Sequence, residues 1–133
     1  MVDKAFSGTS AALHDEDSGV VRLAAFRLLA TYGATTETRS EKVWPLLGEA
    51  IRIYHGDSEF PQMLTGLIKL VSGNASDEVR EAAADTMSFD ADHSKGLTGR
   101  RAKQVVSCAP AKYLRKRKKS AEAAAREEEE KKS

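Results

Sequence analysis

Residues 18–33 read SGVVRLAAFRLLATYG, and their spacing predicts an α-helix. Val21, Ala24, Ala25, Leu28, Leu29 and Tyr32 recur at i, i+3 and i+4, which lines them along one helical face. Leu23, Phe26 and Ala30 cover an adjoining strip, and only Arg22, Arg27 and Thr31 supply much polarity. A helix this apolar needs neighbours on two sides. Asp17 or Ser18 is its predicted N-cap, and Gly33 stands where a left-handed C-terminal ending is easiest.

The same period continues outward. Ser40 opens a second predicted helix, Glu41 to about Tyr54, with Val43, Leu46, Leu47, Ala50, Ile51 and Tyr54 on one face. Pro45 falls in its first turns, so this helix starts late or bends there. After the loop HGDSEFP (55–61), Pro61 suits a first helical position, and Met63, Leu64, Leu67, Ile68 and Val71 form the next stripe. Gly73 and Asn74 end that segment, and Ser76 or Asp77 caps another. Its Val79, Ala82, Ala83, Thr86 and Met87 make a narrow face of small residues. The run FDADHSKGLTG (89–99) reads as a turn-rich connection. Thr98 then starts a last helix of the body, with Ala102, Val105, Val106 and Ala109 pointing inward. No stretch alternates as a strand does, so the expected fold class is all-α.

A chain of 133 residues suits one domain, and 41% hydrophobic against 31% charged residues is the balance of a soluble packed one. The single cysteine, Cys108, excludes an internal disulfide and a multi-thiol metal site. No run approaches the ~20 apolar residues of a membrane span. The opening MVDKAFSGTSAALHDED lacks a secretory apolar stretch, so the expected compartment is cytoplasmic. A net charge of +1 excludes a globally basic coat or an acidic decoy, yet it hides an asymmetry. Residues 1–109 hold 12 basic and 15 acidic residues, whereas residues 110–133 hold 9 and 5. With Pro110 at the change, the expected division is a helical domain at 1–110 and a charged tail at 111–133, flexible or a solvent-exposed helix.

A partial repeat lies within the body. ASDEVREAAADTM near residue 80 parallels DSGVVRLAAFRLL near residue 22, with acids before a Val-Arg pair and small apolar residues after it. In this phrase an acid-containing turn caps a helix, Val enters the core, Arg reaches back to a carboxylate or carbonyl, and the small residues let the next hairpin stack. These residues resemble HEAT repeats, including the lyase-associated variety. KVWPLLGEAIRIY (42–54) adds to the likeness through a proline followed by paired leucines. The resemblance implies a right-handed, short α-solenoid-like stack of about three helical hairpins, and a binding surface instead of a catalytic pocket. The two Val-Arg copies stand 58 residues apart, which leaves the repeat register open.

The candidates for chemistry are sparse. His14, His55 and His93 each adjoin or approach an acid but form no HxxxH or HExxH arrangement, so they read as solvated loop histidines. Cys108 has no nucleophile signature around it and reads as a buried or half-buried thiol. The acids Asp15, Glu16 and Asp17, and the pair Asp90 and Asp92, lack the spacing of a calcium loop. Gly96 and Gly99 before Arg100 and Arg101 offer a weak anion site, with no preceding strand. Arg22 and Arg80 read as internal braces; set on one concave surface with Arg27, Arg52, Arg100 and Arg101 they would instead follow a nucleic-acid backbone. No catalytic, cofactor or metal residue is assigned.

The expected function is therefore a non-enzymatic protein-binding module: an adaptor, assembly factor or neutralising partner. Its candidate anchors are Trp44, Tyr54, Phe60 and Phe89, wherever these are exposed. The alternative is association with nucleic acid or the ribosome through KYLRKRKK (112–119), in which six of eight residues are basic. Lys112, Arg115, Lys116, Arg117, Lys118 and Lys119 would make the contact, helped by Arg100, Arg101 and Lys103. The same basic segment would serve as a nuclear import signal in a nucleated cell. A small enzyme ranks third, because no convergent acid–base set is visible.

Overall fold

Ser18 accepts a hydrogen bond from the backbone N–H of Val21 and thereby caps the first long helix of the computed structural model, α1 (Gly19–Gly33). Residues 11–13 and 18–132 are described, with side chains described through residue 126. The acid cluster Asp15–Asp17 and His14 lie outside them. Five more helices follow among the described residues: α2 (Glu37–Tyr54), α3 (Phe60–Ser72), α4 (Asp77–His93), α5 (Gly96–Ser107) and α6 (Ala111–Lys132), with no strand. The all-helical expectation holds. None of these helices is long and apolar enough to cross a membrane.

Several boundaries differ from the expected ones. Thr36, not Ser40, caps α2 by accepting from the Arg39 N–H. Ser40 is buried inside that helix, where its hydroxyl donates to the Glu37 carbonyl and accepts from the Ser76 N–H. Pro45 sits in the interior of α2 and removes the N–H that would otherwise reach the Glu41 carbonyl. The predicted connection 89–99 is mostly helical: α4 runs through His93, and α5 begins at Gly96 instead of Thr98. Only Ser94 and Lys95 join them, with Gly96 supplying a φ of 67°. Gly33 is not left-handed. A glycine is needed at this last position of α1 because a Cβ there would collide with Val43 Cγ2 and Leu70 Cδ1.

The arrangement follows from who touches whom. α1 packs on α2 and α3, α3 also on α5, α2 on α4, and α4 most extensively on α5. Gly19 lies beside Glu59, Gly66 beside Phe26, and Gly33 beside Leu70, so α1 and α3 run parallel. Ser40 meets Ser76, and His55 at the far end of α2 meets Asp90, so α2 and α4 run parallel as well. Between these helices lies one core of Phe26, Leu29, Val43, Leu47, Ile51, Met63, Leu64, Leu67, Leu70, Val79, Met87 and Val105, joined by Leu13. Burying one such side chain is worth about 1.5–3 kcal/mol.

The polar ties between helices have a common separation. Arg22 to Glu59 spans 37 residues, Ser76 to Ser40 spans 36, and His55 to Asp90 spans 35. Asn74 Nδ2 to the Thr35 carbonyl spans 39 and Arg101 to the Pro61 carbonyl 40. The two Val-Arg phrases fall on α1 and α4, which are not neighbours of one another in either parallel pair. Val79 enters the core, but Val21 is exposed, which corrects the expectation that both valines are buried.

Candidate interaction surfaces

α1 is expected to need neighbours on two sides, and it has them in α2 and α3. Ala25, Phe26, Leu29 and Ala30 are buried, with Phe26 and Ala30 facing Gly66 of α3. On the flank opposite those two, Val20 is 80% and Leu28 62% exposed, with exposed Ala24 between them. α2 repeats the pattern. Trp44, Gly48 and Arg52 line a cleft with Thr86 of α4, while Ile53 on the other flank is 54% exposed. Arg22 at the start of α1 lies over the Tyr54 ring at 4.7 Å, so the beginning of α1 stands beside the end of α2. Val20, Val21 and Ile53 thus belong to one end of the molecule, with Leu28 further along it.

The aromatic candidates separate. Phe60 is 2% exposed and packs in the core against the His55 ring, so it is no anchor. Trp44 and Tyr54 are half-buried, the latter beneath Arg22. Phe89 is 68% exposed and rests on the His93 ring, with centroids 4.5 Å apart. The exposed aliphatic residues Val20 and Leu28 of α1 and Ile53 of α2 are not among the sequence candidates, which are aromatic. The signal for the first two was present in the nearly all-apolar face of residues 20–32.

The two braces act differently. Arg22 donates to Glu59 Oε1, which holds the Glu59 carboxyl below its usual range and raises the guanidinium in turn. Arg80 donates from Nε to the Ala75 carbonyl and approaches Asp77 at 3.4 Å, bracing the turn that precedes its own helix. His55 is not merely solvated: its Nε2 lies 2.9 Å from Oδ1 of buried Asp90, which also accepts from the Ser94 hydroxyl. These groups border a shallow cleft of 380 Å³ with Ser58, Lys95 and Thr98, and the carboxylate at its base is already hydrogen-bonded twice.

The cations of the basic alternative are also sorted by their surroundings. Arg101 donates to the Pro61 carbonyl and is half-buried, whereas Arg100 and Lys103 are exposed. Along α6, Tyr113 and Leu114 pack against the core, and Arg117 donates to Asp92. Burial, with help from nearby Asp85, raises the Tyr113 hydroxyl pKa. A groove of 590 Å³ between α4 and α6 sets Glu78, Glu81 and Asp85 opposite Lys116 and Arg117. A second groove places Lys118 with Asp92, Leu114 and Ala121. Lys112, Arg115 and Lys119 point the other way, into solvent. Family models, curated proteins and solved structures were compared with this chain, and none of them matches it.

Proposed function

We propose that the chain is a non-enzymatic, HEAT-like protein-binding module whose partner docks on the apolar end formed by α1 and α2. The observation that carries this reading is that Val20 and Leu28 of α1 and Ile53 of α2 are left exposed among the described residues. A terminal helical repeat ordinarily turns a polar face outward, and a helix that leaves aliphatic side chains there presents a binding edge. The parallel pairs α1–α3 and α2–α4, tied at separations of 35–40 residues, support the repeat-like reading. That spacing is close to the roughly 40-residue period of HEAT and armadillo hairpins.

The test is affinity capture from the native lysate with Leu28→Glu and Ile53→Glu variants. Both positions are more than half exposed, so the fold should change by no more than about 0.5 kcal/mol. Capture should disappear in both and survive deletion of residues 111–133. Retained capture in the two variants sinks this reading, and loss on deletion alone transfers the contact to α6.

A further inference from the structure

The cations of α6 fall into two sets, and the division points to a ligand. Lys116, Arg117 and Lys118 line the grooves against α4, where Glu78, Glu81, Asp85 and Asp92 supply opposing charge. Lys112, Arg115 and Lys119 are exposed on the opposite side, at spacings of three and four residues. They form a straight cationic ridge about 10 Å long. We propose that this outward ridge of α6 binds the phosphate backbone of duplex DNA without reading its sequence, and that the groove-lining cations take no part.

The choice of occupant follows from what the ridge carries and what it lacks. Lysine and arginine side chains that, like these, pair with no acid among the described residues attract phosphates by releasing condensed counterions, a contact that positions but does not specify. Single-stranded nucleic acid is gripped by stacking its bases on aromatic rings. The only aromatic residue of α6, Tyr113, is half-buried on the other side. The large apolar residues from Ala111 to Arg126, Tyr113 and Leu114, pack on the core, so the ridge carries no apolar side chain to add insertion to its charge at a membrane surface. The ridge runs along one helix, which holds its three cations at fixed spacing and suits the regularly spaced phosphates of a duplex. Glu122 lies on the same side beyond Lys119 and limits how far along the helix the phosphates are followed. The α1–α2 end plays no role in this contact, so the two proposals stand or fall separately.

The experiment is fluorescence anisotropy of a labelled DNA duplex of about 20 base pairs, titrated with the full chain at several salt concentrations. Two triple variants of equal charge are compared, Lys112→Gln/Arg115→Gln/Lys119→Gln and Lys116→Gln/Arg117→Gln/Lys118→Gln. Glutamine matches lysine and arginine closely in helix propensity, and circular dichroism checks that both remain helical. The outward triple should weaken binding at low salt by at least about tenfold and flatten the log–log salt dependence by about 3, near 0.9 per phosphate contact. The groove triple should stay within about threefold of the parent. If the outward triple fails to fold, Lys119→Gln alone should flatten the salt dependence by about 0.9. Equal losses in the two triples overturn the proposal, as does undetectable binding at low salt. Equal retention by vesicles containing phosphatidylserine overturns it in favour of a lipid surface.

Discussion

Arg22 and Glu59 join the first turn of α1 to the loop before α3, and the pair makes stability depend on acid. The Glu59 carboxyl is held below its ordinary range chiefly by the hydrogen bond from Arg22. Its folded pKa is thus lower than its unfolded one, and the ionised form favours the fold above the ordinary glutamate range. That contribution fades as pH falls through the depressed folded value. A Glu59→Gln variant should therefore lose less thermal stability than the parent between neutral and acidic solution. Parallel stability curves for the two proteins would show that the pair contributes nothing. The sequence placed Arg22 as a brace but not its partner, because Glu59 stands in a loop whose approach is set by the packing of α3 on α1. Gly33 does close α1, but glycine is needed there for packing and not for a left-handed turn: Val43 and Leu70 leave no room for a Cβ.

At the scale of the helix, Ser40 shows how tertiary contact overrides a local signal. Serine before an apolar run reads as a cap, and Thr36 is an equally good cap four residues earlier. The helix takes the earlier start because Ser40 then faces the N-terminus of α4 and accepts the buried Ser76 N–H. Ser40→Ala leaves that N–H without its acceptor, and the expected cost is about 1–3 kcal/mol, measured by urea unfolding. A change within about 0.3 kcal/mol would mean that the tie is idle. Residues 89–93 follow the same logic. Two aspartates and a histidine suggest a turn, but Asp90 is satisfied by His55 and Ser94, and Asp92 by Arg117. Partners 35 and 25 residues away are invisible to local pattern, whereas the stripes of α3 and α5 are legible because their buried residues repeat at helical spacing.

For the whole molecule, the helix count and the core were largely legible in the sequence, while the order of packing was not. The Val-Arg phrase suggested a repeat, but its copies lie on α1 and α4, and the regular spacing is carried by hydrogen bonds between unlike residues. The open α1–α2 end went unseen because exposure is a property of the assembled helices. The division near Pro110 has a direct test. Deleting residues 111–133 removes the cover that Tyr113 and Leu114 give the core, both only half-buried. The body should still unfold in one cooperative step, with stability lowered by about 1–3 kcal/mol. A truncated chain without a cooperative transition would make α6 an integral layer of the domain.

The cross-ties of nearly constant reach have a mechanical meaning. Each joins a segment to the one roughly a hairpin further on, like stitches in a seam. Because every stitch closes over the same core, the seam holds or gives way as one piece.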